Sequence, residues 1–140
     1  HPVSDGAYKR TVDGLKNAYD NKVPLTFSTD ADYWVEGMTR GEVCLEFLRT
    51  WTDAGIPNVE ILRAMTSNGY KVSGTDQTRG PIKPGFFADL IAVPGNPLDD
   101  VNTLKQVQFV MKDGQVFKRD GVMTPGVFFN GGPVNGWRIR

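Results

Sequence analysis

The sequence is poor in the residues that most often build reactive sites. It has one histidine, His1, and one cysteine, Cys44. A single cysteine excludes an intramolecular disulfide and a cysteine metal cluster, and its place in an apolar helical pattern predicts a small buried residue. A catalytic zinc site needs several converging His, Asp or Glu ligands, and no second ligand lies near His1. We therefore do not expect this chain alone to supply a complete metal site.

Net charge is also missing. The 16 acidic and 16 basic residues cancel, so the formal net charge is zero. Nucleic acids and membrane surfaces both attract a basic face, and we expect neither as a partner. No apolar run approaches membrane-spanning length, and the first residues lack the charged start and hydrophobic core of a signal peptide. These patterns predict a soluble chain and indicate no particular compartment.

Residues 23–30 predict a short buried strand that ends in a carboxylate. Because side chains alternate along a strand, Leu25 and Phe27 would share one face, and Ser28 and Asp30 the other. In a β/α barrel, a charged residue at the carboxyl end of a strand is where catalytic groups lie. This parity predicts that Asp30 points into a cavity. The alternative is an ordinary strand that ends in a turn or helix-capping aspartate.

The loop after Asp30 carries two large aromatic residues, Tyr33 and Trp34. Loops that follow parallel strands commonly contact substrate, and these side chains would be candidates for that role. They would equally suit a loop whose aromatic rings only cover the mouth of a barrel. The residues themselves leave both interpretations open.

Three helices are predicted in the first half of the chain. Helical spacing of apolar residues indicates a helix over residues 5–21. Thr39 and Glu42 have the spacing of a capping box, and the helix that they begin should end at Gly55. The next helix should begin with Asn58 as its N-cap and fade over residues 66–69.

Composition shifts near Gly74 toward short strands and turns. We predict strands over residues 87–93 and 107–111, and a further strand at residues 115–118. An Asp-Gly pair between two alternating runs is a strong hairpin signal, so the turn should lie at Asp113 and Gly114.

Three further expectations concern the same half of the chain. Residues 98–105 predict a single helical turn. Asp89 enters a strand, and we expect its side chain to hydrogen-bond local backbone. The tail, residues 126–140, is rich in Gly, Asn and Phe without periodicity, and we expect it to lie over a surface.

Taken in order, these pieces resemble the C-terminal part of the amidohydrolase superfamily, in its imidazolonepropionase-like and prolidase-like branch. The resemblance covers about residues 20 to 118. It is carried by the ordered string Ser28-Thr29-Asp30, Leu62-Arg63-Ala64-Met65-Thr66-Ser67-Asn68, Gly80-Pro81-Ile82-Lys83-Pro84-Gly85-Phe86-Phe87-Ala88-Asp89-Leu90-Ile91-Ala92-Val93, Asn96-Pro97-Leu98-Asp99-Asp100 and Val110-Met111-Lys112-Asp113-Gly114. Two positions depart from the family pattern: Ser28 stands where glycine often precedes Thr-Asp, and Gly69 where a small helix former is usual.

The resemblance implies an α/β fold, in which the last βα units of a TIM-like (β/α)8 barrel are followed by a small β-sandwich-type domain segment. Residues 1–74 would form the C-terminal part of the barrel. Residues 75–140 would form the small β segment and the tail. The remainder of the barrel would then come from an N-terminal polypeptide or a second chain, with a homo-oligomer as a further possibility.

The resemblance also implies a metal-dependent hydrolase of amide, peptide or cyclic C–N bonds. Asp30 is the one family functional position that carries over, as proton shuttle and metal ligand. One or two divalent ions, zinc by expectation, would be held mostly by residues outside this chain. Tyr33 and Trp34 are candidates for substrate binding from their place in the loop after Asp30, not from the resemblance, and the isolated chain would be inactive. The competing hypothesis is a non-catalytic β module that binds or completes a partner chain.

Overall fold

The computed structural model describes residues 5–31 and 33–125, and the backbone of residues 128–129 and 132–133. His1 and most of the tail therefore lie outside the described residues. The helices are α1 Asp5–Asp20, α2 Arg40–Glu46, α3 Leu48–Asp53, α4 Asn58–Met65 and α5 Ser67–Val72, with a 3₁₀ helix at Val101–Gln106. The strands are β1 Leu90–Ala92, β2 Phe109–Lys112, β3 Gln115–Arg119, β4 Val122–Met123, β5 Phe128–Phe129 and β6 Gly132–Pro133.

The capping box at the start of α2 is confirmed. The Glu42 N–H donates to Thr39 Oγ1 at 3.3 Å, and Glu42 Oε2 accepts from the Thr39 N–H at 2.7 Å. The predicted single helix is nevertheless two helices, because the N–H of Phe47 bonds to the Cys44 carbonyl three residues back. Such a tighter turn interrupts the regular pattern. Gly55 follows α3 in the left-handed conformation, with φ at 72°, as expected of a helix-ending glycine.

Two details of the next helices were predicted wrongly. Pro57 is the N-cap of α4, and Asn58 lies inside the helix. The Asn58 side chain donates instead to the carbonyls of Leu98 and Asp99, 40 and 41 residues further along. The chain also does not fade after α4. It kinks at Thr66, whose ψ is −94°, and continues as α5.

One hydrophobic core joins the helices to the 3₁₀ helix. Its members are Leu48, Trp51, Ala54, Ile56, Ile61, Ala64, Val101 and Leu104. Leu48 and Ile61 are fully buried, and Val101 is 1% exposed. The core therefore includes side chains from both sides of Gly74. Whether the chain divides into domains at that point stays a prediction.

The second half contains a four-stranded antiparallel sheet in the order β1-β2-β3-β4. The predicted hairpin is confirmed: Lys112 pairs with Gln115 across Asp113 and Gly114, whose φ angles are 52° and 80°. Positive φ at both turn residues is typical of a tight hairpin turn. The expected helical turn is the 3₁₀ helix, and β1 is shorter than the predicted strand because only residues 90–92 pair with β2.

The predicted strand at residues 23–30 is wrong in one respect and right in another. No strand is assigned there, since the segment has no ladder partner among the described residues. Its main-chain groups form hydrogen bonds with helices instead. The Phe27 N–H donates to the Ala64 carbonyl in α4, and the Leu25 carbonyl accepts from the Asn68 side-chain amide in α5. The alternation is present only over the last four residues, where Phe27 and Thr29 are half-buried and Ser28 and Asp30 are exposed; Thr26 is half-buried like Leu25.

The described residues thus form a mixed α/β unit in which the sheet pairs are antiparallel. They do not by themselves form the parallel βα units that the resemblance implies, because parallel strands need neighbours that the described part of the chain does not supply. None of the helices among the described residues has the length and apolar character needed to cross a membrane.

Candidate functional site

Asp30 lies at the end of the extended segment, between a half-buried Thr29 and a buried Ala31. The Asp30 backbone is left-handed, with φ at 44°. The Thr29 hydroxyl accepts from the Ala31 N–H at 3.4 Å and donates to Cys44 Sγ at 3.3 Å. The exposed Asp30 carboxylate makes no hydrogen bond to the described part of the chain. It is therefore available to a ligand or to residues from elsewhere.

The other two predicted site residues are also exposed. Tyr33 is 53% exposed and Trp34 is 75% exposed. Neither forms a ring contact or hydrogen bond with Asp30 within residues 5–31 and 33–125. The structure therefore places all three on the surface without joining them into one pocket, and their roles stay predictions. Cys44 is half-buried and free, less buried than predicted.

A metal ion would need more ligands than the described residues provide. They contain no group of three His, Cys, Asp or Glu side chains placed to hold an ion. Asp30 has the chemistry of a ligand, because carboxylate oxygens bind divalent ions. A site at Asp30 would thus need its remaining ligands from outside the described residues.

Two hollows lie away from Asp30. One, of about 490 Å³, lies near the start of the extended segment and is lined by Lys22, Leu25 and Trp51 among others. The other, of about 260 Å³, is lined by residues of the 80–90 stretch. The predicted cavity next to Asp30 corresponds to neither of them.

An ionic cluster in the second half was missed at the level of sequence. Asp89 does accept a backbone N–H, but from Asp113, 24 residues away, at 2.8 Å. Lys112 Nζ lies 3.1 Å from each Asp89 carboxylate oxygen, and Arg79 donates to the same carboxylate. Arg79 also pairs with Asp113 at 2.7 Å. The expectation of a local bond was wrong because the hairpin brings distant donors to Asp89. The Asp-Gly turn itself was the signal that could have indicated this.

Electrostatics in this cluster favour the ionised carboxylate. Burial alone would raise the pKa of Asp89, whose side chain is 12% exposed. The hydrogen bonds from the Asp113 N–H, Arg79 and Lys112 outweigh burial and lower the pKa of Asp89 to about 2. Hydrogen bonds and cations both stabilise the anion, which is the physical cause of the shift. The cluster fastens the residues before β1 to the hairpin tip.

Comparison with known proteins identifies the class. Residues 2–117 of this chain, which include Asp30, match the amidohydrolase family. The chain is therefore a member of the amidohydrolase family.

The chain is similar to individual known proteins over more than half of its length. An Xaa-Pro dipeptidase structure with methionine bound in its active site matches 76% of this chain at 30% identity and a TM-score of 0.68. A structure described as a putative prolidase from Bifidobacterium longum matches 79% at 30% identity and a TM-score of 0.61. Ochratoxinase from Aspergillus niger is 31% identical over 86 residues, which are 59% of this chain.

These relatives are much longer than the chain. The matched region is 25% of the Xaa-Pro dipeptidase chain, 26% of the Bifidobacterium chain and 18% of ochratoxinase. The chain therefore spans about a quarter or less of the length of each of these relatives.

Proposed function

We propose that this chain is the C-terminal portion of a metal-dependent amidohydrolase that cleaves amide or peptide bonds, including Xaa-Pro-like dipeptides. Residues 1–74 would close a (β/α)8 barrel, and residues 75–140 would form part of a small β domain. The observation that carries the proposal is Asp30, an exposed carboxylate at the end of an extended segment whose last four residues alternate in burial. Membership of the amidohydrolase family, shown over residues 2–117, is the reason to propose a catalytic role for that carboxylate.

The backbone of the extended segment supports the need for a complement. Leu25 and Phe27 use main-chain groups on the edge that faces α4 and α5. Thr26 and Ser28 alternate with them and make no main-chain hydrogen bond within the described residues. Unpaired strand edges are sites of pairing with another strand. The remainder of the barrel, as upstream polypeptide or second chain, would fill this edge.

The proposed chemistry assigns one task to Asp30. A divalent ion, when bound, lowers the pKa of water toward neutrality and makes hydroxide available. Asp30 takes the proton of the attacking water and later gives it to the leaving amine. A carboxylate suits this role because it is an anion beside a cation yet accepts a proton transiently. Asp30 is also the ligand that this chain would contribute.

Tyr33 and Trp34 are proposed to contact the substrate. Both rings are exposed close in sequence to Asp30, where they present apolar faces to a ring-bearing or apolar group. Rings that pack against a substrate increase binding rather than proton transfer. Substitution of Trp34 by alanine should therefore raise KM more than it lowers kcat.

The test is Asp30→Asn in the full-length enzyme that contains these residues, assayed on dipeptide and N-acyl substrates at saturating metal. Asparagine keeps the shape and removes the proton acceptor. Turnover should fall by roughly 10²–10⁴-fold, the usual scale for general acid–base catalysis. Asp53→Asn is the matched control, because Asp53 lies in α3 and accepts from Tyr8 at 2.8 Å.

A variant that keeps more than about half of wild-type turnover would remove Asp30 from the mechanism. The mass and metal content of the native particle distinguish the proposed hydrolase from the competing function, a non-catalytic β module. A particle that contains only this chain, without stoichiometric metal, would favour a non-catalytic β module.

A further inference from the structure

The hydroxyl of Thr29 makes two bonds at the point where the extended segment ends. It accepts from the N–H of Ala31 at 3.4 Å, and it lies 3.3 Å from Cys44 Sγ. A hydroxyl has one proton and two lone pairs. Since a lone pair is used by Ala31, the single proton is free to point at the sulfur. Cys44 Sγ is the acceptor of that proton.

The bond between Thr29 and Ala31 encloses Asp30. A side-chain oxygen that accepts from the N–H two residues later closes a turn in place of a backbone carbonyl. Asp30, the middle residue of this turn, has φ at 44°. Non-glycine residues rarely adopt positive φ, although Asp tolerates it better than most. The conformation of Asp30, and hence the direction of its carboxylate, depends on the closure of this turn.

The bond to Cys44 attaches the turn to helix α2. That helix begins with the capping box of Thr39, and Val43, next to Cys44, is 4% exposed. Ala31 on the other side of Asp30 is 3% exposed. The turn is thus held at a buried residue and at a packed helix, while the carboxylate between them remains exposed.

We propose that Thr29 and Cys44 are positioning residues for Asp30. The thiol of Cys44 orients the Thr29 hydroxyl, and the hydroxyl holds Asp30 in its left-handed conformation. The catalytic consequence rests on the proposed function, because it requires Asp30 to carry the proton. The structural consequence does not, because the turn and its contact with α2 lie within this chain.

The structural test is NMR on four variants of this chain. A strong intraresidue NOE between HN and Hα is the signature of positive φ. It should be present at Asp30 in the wild type and be lost in Thr29→Val, which is isosteric but lacks the hydroxyl. It should weaken in Cys44→Ala, which removes the acceptor. Thr29→Ser and Cys44→Ser keep a hydroxyl donor and a hydrogen-bond acceptor respectively, and both should retain the signal.

The outcomes separate cleanly. Loss of the signal in Cys44→Ala with recovery in Cys44→Ser supports the proposal, even if Thr29→Val does not fold. A signal of wild-type strength in both Thr29→Val and Cys44→Ala overturns it. Equal loss in Cys44→Ala and Cys44→Ser also overturns it, because the thiol would then act by packing alone.

The catalytic test uses the same variants in the full-length enzyme. Misplacing a reacting group by about 1 Å can cost roughly 10²-fold, so Thr29→Val should lower kcat by about 10- to 100-fold. KM should change little, because substrate contacts are untouched. Thr29→Ser should restore most of kcat. If Asp30→Asn is inactive while Thr29→Val turns over normally, the positioning role fails and the proposed function stands. If Asp30→Asn is fully active, the proposed function fails. The NMR result still tests whether Thr29 and Cys44 hold Asp30 in its left-handed conformation.

Discussion

The Asp89 carboxylate accepts the backbone N–H of Asp113 at 2.8 Å, and so joins the start of the sheet to the tip of its hairpin. The two residues are 24 positions apart, and Lys112 and Arg79 complete the contact. This relationship has direct consequences for stability and for its dependence on pH.

Replacing Asp89 by asparagine should destabilise the chain. The amide oxygen can still accept from the Asp113 N–H, but the charge that pairs with Lys112 and Arg79 is lost. We expect the free energy of unfolding to fall by about 1–3 kcal/mol, as measured by urea denaturation. Asp13→Asn is the control, because Asp13 pairs with Lys9 on the exposed face of α1, where an ion pair contributes little. A change at Asp89 no larger than at Asp13 would contradict a structural role for the cluster.

The same carboxylate should make stability fall in acid. The pKa of Asp89 is lowered from 3.8 to about 2 in the folded chain. A group with a depressed folded pKa stabilises the fold above its unfolded pKa, and that contribution is lost as pH falls through the folded value. The difference in unfolding free energy between wild type and Asp89→Asn should therefore shrink between about pH 4 and pH 2. Urea midpoints at pH 6, 4 and 2.5 measure it, and a difference that stays constant would rule out Asp89 as the titrating group.

The hairpin turn requires its glycine. Gly114 has φ at 80°, a conformation in which a side chain is strained, although no atom would contact an added Cβ. Gly114→Ala should therefore cost about 1 kcal/mol by backbone strain alone. Gly14→Ala is the matched control, since Gly14 lies within α1 with equally open space around it. That substitution should stabilise by about 0.5–1 kcal/mol. Thermal and urea unfolding of the pair should move in opposite directions.

The capping box of α2 gives a prediction of a local kind. Thr39→Ala removes the oxygen that accepts from the Glu42 N–H, and should lower the free energy of unfolding by about 1 kcal/mol. Thr39→Ser keeps that oxygen and should cost much less. Urea denaturation of both variants checks the difference. Equal effects would mean that the methyl group, not the cap, is what matters.

Metal binding by the chain alone should be weak. The described residues contain no group of three potential ligands, and a single carboxylate with scattered acids makes no closed site. We expect zinc to bind no tighter than about micromolar, as measured by calorimetry. Stoichiometric zinc retained through dialysis against a chelator would contradict this.

Features that depend on neighbours in sequence could be predicted from the residues. The capping box involves positions three apart, and the hairpin turn involves an adjacent Asp-Gly pair. Their conformations follow from hydrogen bonds and φ preferences within a few residues, which tertiary packing has little power to alter. The alternating exposure of residues 27–30 is of the same kind, because successive side chains of an extended segment point to opposite sides.

Features that depend on distant partners were decided by the tertiary structure. Asn58 bonds to carbonyls 40 residues away, and Asp89 meets donors 10, 23 and 24 residues away, which no local pattern contains. The segment before Asp30 has the pattern of a strand but forms no ladder with the described residues, because pairing requires a neighbouring strand whose main-chain groups bond to it. Residue identity therefore determined where the carboxylate of Asp30 lies along its segment. Packing against α2 decided how the turn around it is held, since the Thr29–Cys44 contact joins residues 15 apart.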